Sequence, residues 1–472
     1  MNASMQLASR PAVAAVGLDS DTGTDTDLAA MRVLLQRLLP GFADGGLRID
    51  GLSVCKARRS SSLRRNPCPI TLCFELQVSD LARGRVGTQT LYAKAFRPGL
   101  AEPFFRQQDR SRLTRPAFGE ALVHVAELNM VIWALPNDPG LPQLVPLLDP
   151  VQAERALPWA AMAVSAGVQR SEFSALRAEL LRYEPEQRAT LRYTLTRADG
   201  GAAQVLYGKT FRGRQARELE HRFDYFWQRS LTDPTAPRVA QPLGHSADTQ
   251  TLWQAAAAGT PLLPLLQSLA APDAAALLRR VARALALLHA APLAPSANAT
   301  TRSAAHWLAE ARRRQTKISR ANPALAARAA GVVTLIAAQA EHQAEHQATR
   351  PLSLIHGDFH PEQIWLHEGR VVLFDFDEFT LGDPMEDLAT FMLKLEQAGV
   401  APELVSALVD EYAASAPRRF DARSLRWHLA VQSLVQASRA FVFQKPGWAI
   451  ELGHRLAGAE ARAAALDPES TA

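Results

Sequence analysis

The sequence is poor in cysteine and in lysine. Its 472 residues contain three cysteines, Cys55, Cys68 and Cys73, and only six of its 52 lysines and arginines are lysines. An odd, low cysteine count argues against a disulfide framework, and without a paired Cys-x-x-Cys arrangement we expect no structural zinc. These features favour a reducing compartment and predict a cytoplasmic protein. Because lysines are so few, the place of each one carries information.

Long apolar runs and concentrated charge are also missing. No run of 18 uncharged apolar residues occurs, so we expect no membrane span. The net charge of +5 is scattered and no nucleic-acid module signature is present, so we expect no nucleic-acid partner. One basic cluster, Lys56 to Arg65, lies between two strand-like runs. It predicts a solvated hairpin loop, with a site for an acidic partner or a membrane surface as the alternative.

The chain is long enough for two or three domains. Residues 1–27 are rich in Ser, Thr, Ala and Asp and predict a disordered leader, and residues 466–472 predict a frayed tail. Strand-like patterns over 47–54, 70–78 and 90–96 are followed by helical apolar spacing over 122–135. A second series follows, with strands over 179–183, 188–196 and 204–211 and a helix over 214–229. From about residue 259 the pattern is helical.

The two strand-rich series resemble each other. The heptapeptide from Leu91 to Arg97 matches that from Leu206 to Arg212 at five of seven positions, and Lys94 and Lys209 occupy the same place. We therefore predict an N-terminal α+β cap over 28–150 that is a diverged duplicate of a β-rich lobe over 170–258. A helical lobe over 259–465 completes the predicted organisation.

Chemistry concentrates in a polar stretch between two short predicted strands. It reads His356-Gly357-Asp358, then Gln363, then Asp375 at the end of the second strand, followed by Gly382-Asp383-Pro384 and Asp387-Leu388-Ala389. Phosphoryl transfer needs one carboxylate to orient the acceptor hydroxyl, and hard oxygen ligands to hold magnesium on the phosphates. Asp358, Gln363 and Asp375 supply that set.

This stretch resembles the catalytic core of the aminoglycoside phosphotransferase and choline kinase family, which has a protein-kinase-like fold. The resemblance implies that Asp358 is the catalytic base and that His356 braces the catalytic loop. It implies that Asp375 is the main metal-binding aspartate, and that Asp383 and Asp387 are structural. Gln363 stands where the family uses asparagine. The maltokinase-like branch resembles this sequence there and also carries an N-terminal cap, so we predict that Gln363 is a second metal ligand.

A cation on the nucleotide phosphates is expected from Lys209, with Lys94 as its rival. The helix after Lys209 offers two glutamates, and Glu220 lies closer to its apolar face than Glu218, so we predict a Lys209–Glu220 pair. The resemblance also implies a hinge over 252–262 that binds adenine through the segment containing Gln254 and Ala256. No glycine-rich phosphate loop is visible, because its equivalent over 183–188 lacks glycine.

Two other interpretations compete. His356, Asp358 and His360 have the spacing of a hydrolase metal site, although the glycine and proline within the stretch argue against a regular strand. A non-catalytic kinase-fold protein that binds a nucleotide or a partner is the alternative from a different class. The unusual Gln363 and the missing glycine-rich loop favour it, and the retained Asp358 and Asp375 oppose it.

We therefore expect an α+β, two-lobed, protein-kinase-like fold with an extra N-terminal cap. The expected activity is magnesium-dependent transfer of the γ-phosphate of ATP (or GTP) to a hydroxyl of a small molecule. A sugar-like acceptor is the first expectation and an aminoglycoside-like acceptor the second. Three tryptophans, Trp307, Trp427 and Trp448, are assigned to core packing, with stacking on a sugar as the alternative.

Overall fold

The computed structural model of the protein describes residues 25–59, 70–292, 301–350, 352–443 and 447–466. Most of the predicted leader and all but Leu466 of the predicted tail lie outside these residues. A helix begins at Asp25, within the span assigned to the leader.

The N-terminal cap is a five-stranded antiparallel sheet with one long helix packed on it. Alternate residues of its second strand, Leu72, Phe74, Leu76 and Val78, are buried, as expected for a strand with one face on the core. Met31 and Leu35 of the long helix pack in the same core. The elements are α1 Asp25–Leu38, β1 Leu47–Arg59, β2 Ile70–Asp80, β3 Arg85–Ala95, α2 Ala101–Arg106, β4 Leu122–Val125 and β5 Met130–Ala134, and the strand order is β1-β2-β3-β5-β4.

Two local predictions in the cap were wrong. The helix predicted over 122–135 is the β4–β5 hairpin, whose strands pair Leu122 with Trp133. All five residues of β5 are buried, so the strand lacks the alternation that identifies a half-buried strand, and its apolar spacing imitates a helix. The basic cluster is also not wholly a loop, because β1 extends through Lys56 to Arg59; residues 60–69 lie outside the described residues.

Three short helices that the sequence did not reveal connect the cap to the next lobe. Asp149 caps the second of them by accepting hydrogen bonds from the amides of Val151 and Gln152. Leu144 and Leu147 are fully buried against the β-rich lobe. The helices are α3 Leu144–Leu148, α4 Pro150–Ala156 and α5 Trp159–Ala166.

The β-rich lobe repeats the strand order of the cap. Its sheet runs β6-β7-β8-β11-β10, which is again first, second, third, fifth and fourth in chain order. Lys94 and Lys209 each lie on the third strand, opposite Thr71 and Thr190 of the second. This common topology supports the proposed duplication. The elements are β6 Phe173–Glu184, β7 Arg188–Arg197, β8 Gln204–Phe211, α6 Gln215–Thr232, β9 Arg238–Val239, β10 Pro242–Ser246 and β11 Thr251–Ala255.

The helical lobe contains nine α-helices within the described residues and two small sheets that carry the polar stretch. One sheet has the order β12-β14-β15-β9, and the other pairs β13 with β16. The elements are β12 Thr260–Pro261, α7 Leu262–Ser268, α8 Ala271–His289, α9 Ala304–Ala321, α10 Ala326–Ala338, α11 Ala340–Thr349, β13 Ser353–Ile355, β14 Ile364–His367, β15 Arg370–Leu373, β16 Thr380–Gly382, α12 Met385–Gln397, α13 Pro402–Ser415, α14 Ala422–Phe443 and α15 Trp448–Ala464.

One helical stretch in the described chain, Pro323–Thr349, is long and apolar enough by length and composition to cross a membrane, which by itself is weak evidence. The stretch is divided at Gln339 into α10 and α11. Val332, Val333 and Ile336 of α10 pack in the core of the helical lobe, together with the buried Trp307, Trp427 and Trp448.

Aromatic packing joins the two lobes. Phe226 of α6 stacks on Phe376 with ring centroids 4.8 Å apart, and Phe223 meets the same ring edge-on at 5.4 Å. β9 also pairs in parallel with β15 of the helical lobe. The predicted α+β, two-lobed architecture is confirmed.

Candidate active site

The catalytic loop, residues 356–363, is held from below by Asp387 of α12. Its two carboxylate oxygens accept hydrogen bonds from the amides of His356 (2.6 Å) and Gly357 (2.8 Å). His289 supports the same carboxylate with Nε2 3.1 Å from Oδ2, and Tyr412 contacts the other nitrogen of His289. Asp387 is therefore a structural anchor of the loop.

Asp383 fixes the start of α12. Its Oδ1 accepts from the amide of Met385 at 2.9 Å, and its Oδ2 accepts from Ser424 of α14 at 2.6 Å and from Gln343 at 3.0 Å. These contacts place α12 against α14 and keep Asp383 away from the open cleft.

His356 faces the end of β15. Its Nε2 lies 2.8 Å from the carbonyl oxygen of Phe374, to which it donates, and its ring packs on Phe376 with centroids 5.0 Å apart. The contact ties the catalytic loop to the segment that carries Asp375, a geometry suited to the bracing role predicted for His356.

Asp358 is a partly exposed carboxylate of the loop. His360 Nε2 lies 3.5 Å from its Oδ2. Burial alone would raise the pKa of Asp358, but the hydrogen bond and charge of His360, together with the charge of Arg439, lower the pKa to about 2. The carboxylate is therefore ionised at neutral pH and able to accept a proton.

The hydrolase-type metal site considered for His356, Asp358 and His360 is not formed. The first histidine donates towards Phe374, whereas His360 points to Asp358. Across the residues that the structure describes, no group of three or more His, Cys, Asp or Glu side chains is placed to hold a metal.

The β14–β15 hairpin brings Gln363 and Asp375 together. Gln363 precedes β14, Asp375 follows β15, and the amide of Phe374 donates to the Gln363 carbonyl at 3.0 Å. The side-chain amide of Gln363 then lies 3.2 Å from Asp375 Oδ2. Asp375 has a left-handed backbone, φ 59°, which is uncommon for a residue other than glycine and is often found at functional sites.

Lys209 reaches this pair from the β-rich lobe. Its Nζ lies 2.6 Å from Asp375 Oδ1 and 2.5 Å from Asp377 Oδ2. Although burial opposes ionisation, the charge and hydrogen bond of Lys209 hold the pKa of Asp375 below its usual range. Lys209 is thus the lysine that the fold brings to the polar stretch.

The predicted pair between Lys209 and Glu220 is not formed. Glu220 does face inward, and Glu218 is exposed, but Glu220 Oε2 binds Nδ1 of His245 at 2.6 Å. Glu220 thus pairs with His245 of β10, whereas Lys209 pairs with Asp375 and Asp377 of the helical lobe. Neither partner lies on the element next to it in the sequence.

Three residues of this site escaped the sequence prediction. Asp377 is buried beside Asp375, and its Oδ1 has no hydrogen-bond partner in the structure. Burial raises the pKa of Asp377, and the neighbouring Asp375 adds to the rise. Arg188 donates to Asp377 at 2.7 Å, and Arg182 lies 3.7 Å from Asp375. The second aspartate of Asp375-Phe376-Asp377 was the one available sequence signal.

Arg182 and Arg188 flank the loop that occupies the place of a glycine-rich loop. Glu186, at its tip, has a left-handed backbone with φ 57°. The cap holds this tip: Lys94 Nζ lies 2.5 Å from Glu186 Oε1, and Asp138 accepts from the Glu186 amide at 2.8 Å and from Tyr183 at 2.7 Å. Lys94, the rival of Lys209, thus contacts the loop and not Asp375 or Asp377.

The predicted hinge lies between β11 and α7. The side-chain nitrogen of Gln254 is buried and has no hydrogen-bond partner in the structure. The amide of Ala256 donates to the carbonyl of Val205 at 3.3 Å, so that amide is engaged within the protein. Gln254 therefore fits the predicted adenine contact better than the amide of Ala256 does.

The part of the chain that contains this site is similar to a known protein family. Residues 209–428 match the phosphotransferase enzyme family. The match includes Lys209, Asp358, Gln363 and Asp375, and it confirms the resemblance on which the sequence prediction rested. It supports a phosphotransferase. No curated protein matches the chain at a significant level.

Solved structures of similar shape include three kinases. Aminoglycoside phosphotransferase APH(2'')-Ib, bound to ADP, is 14% identical over 65% of this chain and 98% of its own, with a TM-score of 0.43. Choline kinase from Cryptosporidium parvum is 10% identical over 62% and 90%, with a TM-score of 0.44. Aminoglycoside phosphotransferase APH(3'')-Id from Streptomyces rimosus is 19% identical over 54% and 92%, with a TM-score of 0.39. At these TM-scores the likeness adds nothing to the family match and the site geometry.

Proposed function

We propose that the protein is a small-molecule kinase that transfers the γ-phosphate of ATP (or GTP) to a hydroxyl group. The observation that carries this proposal is the meeting of the two lobes at Asp375. Lys209 approaches one of its oxygens at 2.6 Å and Gln363 the other at 3.2 Å, while Asp358 lies on the adjoining loop. The family match of residues 209–428 supports the same reaction class.

In this reaction the acceptor hydroxyl oxygen forms a bond to the γ-phosphorus. The bond between that phosphorus and the β–γ bridging oxygen breaks, and the nucleoside diphosphate leaves with the electron pair. Asp358 takes the hydroxyl proton, which its ionised state permits, and its partial exposure leaves it accessible to an acceptor.

The residues present fit a magnesium ion. Asp375 offers a carboxylate, Gln363 offers an amide oxygen after rotation of its amide group, and Asp377 has a buried carboxylate oxygen without a partner. Magnesium takes one or two protein carboxylates and completes its shell with phosphates and water, so few protein ligands suffice. When bound, it would neutralise charge on the transferred phosphate.

Arginine side chains compensate for the missing glycine-rich loop in this proposal. Arg182 and Arg188 stand at either side of the loop tip and both reach the aspartates that Lys209 contacts. A triphosphate entering here would meet three cations. Guanidinium groups bind phosphate oxygens through two parallel hydrogen bonds. In this proposal they replace the hydrogen bonds that the backbone amides of a glycine-rich loop would donate to the phosphates.

The test is magnesium-dependent consumption of ATP and of GTP with a panel of hydroxyl compounds. Asp358→Asn should lower turnover by about 10²–10⁴-fold and leave nucleotide binding little changed, because the base does not contact the nucleotide. Asp375→Ala should weaken magnesium-dependent nucleotide binding. Asp410→Asn, an exposed aspartate of α13, is the matched control and should behave as the parent.

Absence of turnover with every acceptor, together with nucleotide binding that is unchanged in Asp375→Ala, would overturn the proposal. Nucleotide binding without turnover and without a magnesium requirement would instead favour the non-catalytic nucleotide-binding alternative. The cations that surround Asp375 suit that alternative too, because they could bind phosphates without a metal ion.

A further inference from the structure

Helix α12 lies along the catalytic loop and carries a lysine on the face that meets it. Asp387 binds the loop amides, and one turn later the ring of Phe391 packs on Phe359 with centroids 5.0 Å apart. Lys394 follows Phe391 by three residues and Asp387 by seven, so it continues the same face of the helix. This places Lys394 next to the loop that bears Asp358.

Helix α14 runs beside α12 in the same direction. Its Arg439 lies towards the C-terminal end of the helix pair, as Lys394 does on α12. The two helices are joined near their starts by the 2.6 Å hydrogen bond from Ser424 to Asp383. Arg439 lies fifteen residues beyond Ser424, about 22 Å along the helix, and Lys394 lies eleven beyond Asp383, about 16 Å along. Both side chains are partly buried.

The two cations act on each other and on the catalytic carboxylate. Burial lowers the pKa of Lys394, and the positive charge of Arg439 lowers it further, while Asp358 and Glu362 oppose that change. Arg439 in turn contributes to the low pKa of Asp358. Within the residues that the structure describes, neither cation forms a hydrogen bond or an ion pair through its side chain.

The acidic residues that could have balanced them are engaged elsewhere. Glu386 is buried with Arg302 and the indole of Trp307, Glu396 pairs with Arg462, and Glu411 pairs with Arg283. Glu362 is exposed and is the acid that remains close to Lys394. Among the described residues, the acids near Asp358 therefore do not form the acidic cleft that a polycationic aminoglycoside would need.

We propose that the acceptor is a hydroxyl compound that carries an anionic group, a carboxylate or a phosphate, and that Lys394 and Arg439 bind that group. The proposal rests on the proposed kinase function and names its substrate class. Two like charges held together in a partly buried place are unfavourable until an anion lies between them. Arginine suits planar or tetrahedral oxyanions through paired hydrogen bonds, and lysine adds a point charge.

The experiment compares matched acceptors that differ in the anionic group. Gluconate is set against sorbitol, and glucose 6-phosphate against glucose, with kanamycin as the cationic member. Nucleotide consumption is measured first, and calorimetric binding of each compound is then measured with the nucleotide site saturated by magnesium and AMP-PNP. We expect the anionic member of at least one pair to be preferred about tenfold or more, in turnover or in binding.

Variants of Lys394 and Arg439 test whether these side chains cause the preference for anionic acceptors. Lys394→Met and Arg439→Gln should each reduce the preference about tenfold, whereas Lys394→Arg and Arg439→Lys should retain most of it. Arg426→Gln, an exposed arginine on α14, is the matched control and should leave the preference unchanged. Thermal unfolding of each variant separates loss of folding from loss of binding, and the charge-conserving variants keep the test decisive if a neutral variant is unstable.

The inference is overturned if the neutral or cationic compounds are consumed or bound as well as the anionic ones, or if the preference survives in both Lys394→Met and Arg439→Gln. This failure differs from failure of the kinase proposal itself. The latter requires that no compound is phosphorylated and that Asp375→Ala leaves nucleotide binding unchanged.

Discussion

Gly357 occupies a position in the catalytic loop where a side chain does not fit. Its φ is 79°, and an added Cβ would lie 2.3 Å from the backbone oxygen of Glu378. Glycine adopts this conformation without steric cost, and its small size lets the loop approach the segment after Asp375. The close approach holds the loop that bears Asp358 near the segment that follows Asp375.

We expect Gly357→Ala to lower the free energy of unfolding by about 1–3 kcal/mol and to reduce turnover, because the loop must move to relieve the clash. Gly331→Ala is the control: this glycine lies inside α10 with open space around it, and alanine should stabilise the helix by about 0.5–1 kcal/mol. Denaturant unfolding measures both changes. Equal stability of Gly357→Ala and the parent would contradict the packing described here.

The pH dependence of turnover should depend on His360. Asp358 must be ionised to accept a proton, and its pKa of about 2 keeps it ionised throughout the usual assay range. Without the hydrogen bond and charge of His360, burial would raise the pKa of Asp358. His360→Gln should therefore move the acid limb of the kcat/KM profile to higher pH, so that activity is lost earlier as the pH falls.

His367→Gln, which changes a partly exposed histidine outside the loop, should keep the parent profile. The contribution of Asp358 to the stability of the fold should also be lost as the pH falls. A folded pKa below the ordinary aspartate value gives stabilisation that is complete above about pH 4 and is lost as the pH falls towards 2. An unshifted acid limb in His360→Gln would show that His360 does not set the ionisation of Asp358.

Single residues also show where sequence reasoning succeeds and where it fails. The family resemblance of the residues from His356 to Asp387 implied the loop and its anchor, and Gln363 meets Asp375 because the β14–β15 hairpin between them has a local register. The helical wheel correctly placed Glu220 inward, but its partner His245 lies on another strand. Lys209 binds aspartates more than 160 residues away. Periodicity reports which side of an element faces the core and not which distant side chain meets it there.

The helices and strands also show what sequence periodicity fails to predict. β5 was predicted as helix because it is buried on both faces and so loses the alternation of a strand. Helices α3, α4 and α5 were missed because each is eight residues or shorter and leaves little periodicity to detect. The repeated heptapeptide, by contrast, identified two equivalent strands, and the equal strand order of the two sheets extends that equivalence to whole modules.

Substitutions of Lys209 and Lys94, which occupy equivalent strand positions, should have unequal effects on the kinetics with ATP. Lys209 contacts Asp375 and Asp377, whereas Lys94 holds Glu186 at the tip of the phosphate-side loop. Lys209→Met should lower kcat/KM for ATP by about a hundredfold or more, because a buried charge-assisted contact to the site is lost. Lys94→Met should raise KM for ATP only a few fold, since it loosens the loop.

Steady-state kinetics with ATP distinguish these outcomes, and Lys317→Met, on α9 of the helical lobe, is the lysine control away from both sites. The reverse order of effects would mean that the cap, and not the β-rich lobe, provides the phosphate lysine. Equal small effects would mean that Arg182 and Arg188 bind the phosphates without help from Lys209.

At the scale of the whole molecule, the segment that leads from the cap sheet is buried in the hydrophobic core of the β-rich lobe. Leu141, Leu144 and Leu147, which follow the cap sheet, are fully buried with Tyr193 and Trp253 of the lobe. Tyr193 also donates to the carbonyl of Leu147 at 3.0 Å. Because the connection between the two modules is part of the core of one of them, we predict that the cap and the lobe unfold together.

Leu144→Ala should therefore lower the free energy of unfolding by about 2–5 kcal/mol, the usual cost of removing a buried leucine side chain. Hydrogen exchange should rise in both β5 of the cap and β8 of the lobe, because the cavity loosens the segment that joins the two modules. Leu81→Ala, which truncates a leucine that is 55% exposed, should leave stability and exchange close to the parent values. Faster exchange confined to one module, with the other protected as before, would mean that the cap and the lobe unfold independently.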